Sequence, residues 1–403
     1  MKTIALITLA LFLFVKAVNA QWVQIATIGN NDLRGVKFFN EHTGIVVGQG
    51  GIWRSTNSGV NWTQVLPEQN LNALSFYDIN NGFVVGDTGK IYRTYDNGLT
   101  WPRLGIGITT NNLYGVSFST MNRCHAAGVG GIIMRTLNGG TTWSTLFWSG
   151  QDIYSVIMNY DGVGLTFGSA NNEVIISTAN GGTNWLTILN SPGNNCYDGT
   201  FLNNTANVLV IGNNGRIRKT TNYGLNWSFP QSNVSVNLNA VTFINASEAY
   251  IVGNSGVIIK STDVGVNWTS QTSGTTSNLK DISFINQQIG WTVGNNGTVL
   301  RIGIPVSITK TGEVLPNEFR LYQNYPNPFN SETKIKFALP TDDFIDMSLY
   351  DITGRKVEDL LSKFLKAGFY EIHLSGNNFS SGIFFCRTNG QSHNGIIKLI
   401  LIK

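Results

Sequence analysis

The 403-residue sequence predicts an all-β chain: a seven-bladed β-propeller closed by its N-terminal strand, followed by a small Ig-like β-sandwich. Three observations carry this. Tryptophans recur at Trp22, Trp62, Trp101, Trp143, Trp185, Trp227 and Trp268, in steps of 39 to 42 residues, and a fixed period in that range marks a solenoid, propeller or array. Each repeat holds four short β-branched or aromatic runs bounded by Gly, Asn and Asp, without helical periodicity. Charged residues are only 12% of the chain while glycine reaches 45 residues without a triplet period. Such a composition suits many tight turns and excludes both a disordered and a collagen-like chain. The net charge of +4 is too small to argue for nucleic acid or an anionic membrane.

The elements follow in order. Lys2, the apolar run Ala5 to Val15 and Val18-Asn19-Ala20 read as an export signal over residues 1–20. The run is too short to span a bilayer, and no transmembrane segment is expected in the mature chain. Residues 21–303 hold the repeats. Innermost strands start at Leu33, Leu71, Leu113, Ile153, Cys196, Leu238 and Leu279. The seventh repeat lacks its tryptophan strand, and Gln21-Trp22-Val23-Gln24-Ile25 resembles Asn61-Trp62-Thr63-Gln64-Val65. The N-terminal segment is therefore expected to complete the seventh blade and remove an open edge. Residues 304–318 read as a linker, and 319–403 as a separate domain of alternating strands.

Before each tryptophan stands Ser/Thr-x-Asp/Asn-x-Gly-x-Thr/Asn-Trp, centred on Asn57, Asp96, Asn138, Asn180, Asn222 and Asp263. An Asx side chain bonding amides two residues on, with Gly at positive φ, makes this a turn. The motif resembles the Asp-box, or BNR repeat, of sialidases and sortilin-type receptors, where the box is structural. The whole unit, with Val-Gly-x-x-Gly between its second and third strands, looks most like the propeller of photosystem II assembly and stability factors. That family chaperones a photosystem subunit through one propeller face. The tail, with Asn324-Tyr325-Pro326-Asn327-Pro328-Phe329-Asn330 and Tyr350-Asp351-Ile352-Thr353-Gly354-Arg355-Lys356-Val357, resembles the type A C-terminal sorting domain of the type IX secretion system. The resemblance implies Sec export, then recognition of residues 319–403 by the type IX machinery, and a secreted or outer-surface location in a Gram-negative bacterium.

Candidate chemistry is sparse. Arg54, Arg93, Arg135 and Arg301 share one repeat position, so they read as scaffold residues whose stems cover a neighbouring strand, not as a sialidase arginine triad. The three cysteines, Cys124, Cys196 and Cys386, are widely spaced and form no framework, and the four histidines form no ligand set. No catalytic set, metal site or cofactor is expected. The residue before each inner strand is Asp32, Asn70, Asn112, Asp152, Asn195, Asn237 or Asn278. This all-Asx ring is expected at one mouth of the central channel, either as turn caps or, with Trp148 and the nearby amide-rich turns, as a polar funnel for a protein or glycan ligand. Asp32 and Asp152 lie three blades apart, poor geometry for the paired acids of a glycosidase. The reading is a non-catalytic binding propeller; the alternatives are a secreted glycan-active hydrolase and a chaperone like the photosystem factors.

Overall fold

The computed structural model describes residues 22–148, 150–168, 172–303, 308–311, 315–376, 379–390 and 393–403. The export signal expected at 1–20 lies outside them. The chain divides into two compact units, Gln21–Gly303 and Ile304–Lys403.

In the first unit seven antiparallel sheets stand in a ring. Their inner strands, blade one to blade seven, are Leu33–Phe38, Leu71–Phe76, Leu113–Thr120, Ile153–Met158, Cys196–Phe201, Leu238–Phe243 and Leu279–Phe284. Each packs against the next, and the seventh packs against the first, so the ring is continuous. Six sheets have four strands; in blade five the outer strand is reduced to the bridges Arg216–Gln231 and Lys219–Ser228. The outer strand of blade seven is Val23–Thr27, paired antiparallel with Thr298–Ile302 through Val23–Arg301 and Thr27–Thr298. Trp22 is buried between Tyr250 and Phe284, edge-on to both at 6.1 and 5.9 Å. It fills the position that the box tryptophans fill in the other blades.

The box explains the repeat. In all six copies the Ser or Thr hydroxyl donates to the Asx Oδ1 and accepts the glycine N–H, as in Thr136 to Asn138 at 3.1 Å and Gly140 to Thr136 at 2.8 Å. The Asx Oδ1 accepts mainly from the amide four residues on, for example Thr142 to Asn138 at 2.9 Å. This is two residues further than a simple Asx turn, because the box closes a longer loop around the hydroxyl. The box glycines take φ of 72° to 89°, a region costly for residues with a Cβ. The tryptophan then packs on the second strand of the preceding blade: Trp101 in the cluster of Ile45 and Val47, Trp143 edge-on to Phe83 at 5.6 Å. The motif thus cements blade to blade.

The repeated arginines do the same work from the other side. Arg54 Nε donates to Asn97 O at 2.9 Å, Arg93 to Gly139 O, and Arg135 to Gly181 O at 3.1 Å. Each acceptor is a box carbonyl of the following blade. The guanidinium heads, not only the stems expected from sequence, join neighbouring blades. The Val-Gly-x-x-Gly turn has a steric cause. A Cβ on the first glycine (Gly48, Gly86, Gly128) would run into the carbonyl oxygen of Asp32, Asn70 or Asn112.

The second unit is two packed four-stranded sheets. One orders Ile308–Lys310, Gly368–Ser375, Glu332–Leu339 and Arg320–Leu321; the other orders Lys356–Leu365, Asp343–Asp351, Gly382–Gly390 and Asn394–Leu401. Ile335, Phe337 and Ile372 of the first meet Ile345, Met347, Cys386 and Leu399 of the second in one core. The segment expected as a linker, 304–318, is corrected here: Ile308–Lys310 is an edge strand of this unit, in register with Tyr370–Ile372. The Asn-Tyr-Pro-Asn-Pro-Phe-Asn opening is pinned to the last strand, with Asn327 accepting from Ile400 N at 2.9 Å and Phe329 N donating to Ile400 O at 2.9 Å.

Candidate functional site

The Asx ring sits where the inner strands begin, and its members are all half-buried. In six of the blades, their carbonyls accept from the residue after the second strand, as in Gln49 to Asp32 and Asp87 to Asn70, both 2.9 Å. Among the described residues, four of the seven side chains bond across a blade boundary to a turn amide. Asn112, Asp152, Asn237 and Asn278 accept through Oδ1 from Thr88 N (2.9 Å), Gly130 N (2.9 Å), Asn214 N (3.3 Å) and Ser255 N (2.9 Å). Those donors are turn residues of the preceding blade at φ of 53° to 69°. These side chains therefore hold adjacent blades together. Asn195 Nδ2 reaches Tyr197 Oη at 3.5 Å. The neighbouring Asn171 lies outside the described residues. Trp148 is half-buried: its backbone N–H donates to Gly131 O at 2.8 Å, and its ring packs on the cluster of Ile133 and Ile153. Beside Gln151 and Asp152 it walls a void of about 10 Å³, the room of one water.

The strongest grouping is one that sequence reasoning missed. The second residue of each inner strand is Arg34, Asn72, Tyr114, Tyr154, Tyr197, Asn239 or Lys280. These side chains form a collar with two linked runs, Arg34 to Asn72 and Tyr114 to Tyr197. Arg34 donates to Asn72, whose amide donates to Asp87 (2.8 Å) and to Leu113 O (2.9 Å). The rings of Tyr114, Tyr154 and Tyr197 follow at centroid separations of 6.0 and 5.7 Å. Asn239 donates to Asn254 (2.9 Å) and Leu279 O (2.6 Å). Burial lowers the Lys280 pKa, against the attraction of Asp32. The collar is thus aromatic over blades three to five and cationic over blades seven and one. Writing the inner strands one above another by repeat brings the tyrosines into one column, which is the signal that could have found them.

One residue deeper lie Asp198 and Asp281. Asp198 accepts from Val241 N at 3.1 Å and Ser155 Oγ at 3.0 Å; Asp281 accepts from Val36 N at 2.7 Å. Burial pushes their pKa values up, to about 6 and about 7. Lys37, half-buried next to Val36, is pushed down by desolvation, partly offset by Asp281. The small residues Gly35, Ala73, Gly115, Ser155 and Ala240 occupy the same level in the other blades.

Elsewhere the described cysteines are free and buried, and desolvation raises every thiol, Cys386 to about 12. None is poised as a thiolate. His125 is buried with its pKa pushed down to about 4 by desolvation, its Nε2 3.2 Å from Gly181 O. Among the described residues no three His, Cys, Asp or Glu side chains gather as metal ligands, and no helix is long and apolar enough to cross a membrane.

Residues 60–185 and 228–303, half of the chain, match the family model described as photosynthesis system II assembly factor YCF48. The chain belongs to this family. Residues 323–403 match the secretion system C-terminal sorting domain. Two solved structures, YCF48 bound to a D1 peptide and YCF48 from Cyanidioschyzon merolae, align with a TM-score of 0.58 and 20% identity over 70% of this chain; 94% and 98% of those chains are covered. At that identity they show the fold. No curated protein matches the sequence. The sorting domain implies export, to the cell surface or beyond it, so the chain is an exported propeller of the YCF48-like type.

Proposed function

We propose that the chain is a non-catalytic binding module, placed at the surface of a Gram-negative cell or released from it by type IX secretion, which holds a protein or glycan ligand at the channel mouth. The observation that carries this is the collar: three adjoining tyrosines beside amides and two cations, at a mouth fixed by inter-blade hydrogen bonds. Rigid aromatic faces with polar neighbours give contact area at low entropic cost. The D1 peptide held by one YCF48 relative supports a ligand of this kind. The arginines that a sialidase would need are spent on box carbonyls. Asp32 and Asp152 stand in blades one and four, three blades apart, not on neighbouring blades as a close acid–base pair would be. A photosystem-like chaperone would work before export, and the sorting tail argues against that role here.

The test is a glycan and envelope-protein array probed with the mature chain and with Tyr154→Ala. Binding that drops at least about tenfold in the variant, the weight of one buried aromatic contact, supports the proposal. Turnover of chromogenic glycosides without retained binding contradicts it.

A further inference from the structure

The aromatic side of the collar has a charge pattern of its own. In blades three to five, the ring residues and inner strands carry two formal charges, Asp152 and Asp198, both negative. The basic residues of the same levels, Arg34, Lys37 and Lys280, all belong to blades one and seven. Asp198 directly follows Tyr197 in the chain and bonds Ser155, which directly follows Tyr154. Among the described residues Asp198 has no ion-pair partner. A half-buried carboxylate in a narrow channel gains when a cation joins it, and tyrosine faces attract cations.

The geometry points to an ammonium-binding site formed by Tyr114, Tyr154 and Tyr197 above Asp198, with Asp152 at its rim. This rests on the binding role proposed above and names the ligand chemistry of that mouth. The ammonium is compact enough to lie against two adjoining rings whose centroids are 5.7 to 6.0 Å apart. In the opposite sector Arg34, Lys37 and Lys280 outnumber Asp32 and Asp281, so the cation is favoured on the tyrosine side of the channel. The same chemistry could arrive as a lysine side chain of a protein partner or as a free methylated amine.

Calorimetric titration of the full mature chain separates these sources. One arm uses tetramethylammonium chloride, the other Nα-acetyl-lysine amide, each against a potassium chloride blank. Binding in either arm supports the site, and the arm that binds identifies the source. Tyr154→Leu is expected to weaken binding about tenfold, and Tyr154→Phe, which keeps the ring face, less than about threefold. Binding should also fade as pH drops through about 6, where burial sets the Asp198 carboxyl, and Asp198→Asn should flatten that profile. The charged neighbours coupled to Asp198 are Asp281 and, behind it, Lys37; because the two carboxylates repel, Asp281→Asn should move the profile to lower pH without flattening it, whereas Asp198→Asn flattens it. No heat from either probe, or a Tyr154→Leu variant that binds like the parent, overturns the site. If the array finds a ligand that Lys280→Ala abolishes and Tyr154→Leu spares, the mouth binds but not through an ammonium.

Discussion

At the scale of single residues, the box hydroxyl carries more than the Asx beside it. Thr136 is 1% exposed, donates to Asn138 Oδ1 and accepts from Gly140 N. Thr136→Ala leaves the buried Gly140 N–H without its acceptor, at about 1–3 kcal/mol, while Asn138 Oδ1 keeps the Thr142 amide. A loss of about 2 kcal/mol in urea denaturation is expected; a change under a quarter of that would contradict the assignment. Acid dependence comes from the boxes with true carboxylates. The amide of Asn267, first among several donors, holds Asp263 down to about 2. A depressed carboxyl contributes stability above its unfolded value of 3.8 and loses it as pH falls toward 2. Asp263→Asn should therefore flatten the denaturation midpoint between pH 4 and pH 2, since Asn222 and its like already serve in other boxes.

At the scale of elements, ion pairs of different burial make a clean contrast. Glu173, with a fully buried side chain, is gripped by Arg218 and also pairs with Arg216 at 3.2 Å, joining blade four to blade five. Glu173→Gln strands a buried guanidinium and should cost about 3–5 kcal/mol. The Lys90–Glu68 pair, 3.0 Å apart with side chains 15% and 26% exposed, is half open to water. Lys90→Ala should cost under about 1 kcal/mol. Equal losses in the two variants would contradict the role given to burial. The difference was not legible in the sequence. Glu173 stands where a blade-four strand begins, and only the register between blades brings Arg218 to it. What the sequence made legible was local: the box, the strand runs, the Asx ring and the N-terminal repeat fragment each lie within a few residues of chain. The uses of the ring side chains were not, because Asn112 and Asn278 bond turns about 24 residues away in the preceding blade. The tyrosine column escaped because each tyrosine alone looks like any strand residue.

At the scale of the whole molecule, two opposing titrations shape stability. Asp198 and Asp281 have folded values raised to about 6 and 7 from 3.8. The propeller gives up stability as pH rises from about 4 to 7, because ionising them inside the channel is penalised. The box aspartates lose theirs below about 4. Thermal unfolding should thus peak between about pH 4 and 6, and Asp198→Asn with Asp281→Asn should remove the alkaline slope; a peak at pH 8 would contradict the burial of these groups. The sorting domain sets where the molecule works. A chain ending at Gly303 should remain in the periplasm on cell fractionation, whereas the full chain reaches the surface or the medium. The central claim, that the exported propeller binds through its channel mouth, is tested most directly by photocrosslinking on intact cells. The probes are Tyr154→p-benzoylphenylalanine at the mouth and Leu225→p-benzoylphenylalanine at a box rim, where Leu225 is 78% exposed. The account predicts an envelope adduct from position 154 and none from 225. An adduct from 225 alone would move the binding face to the boxes and contradict it.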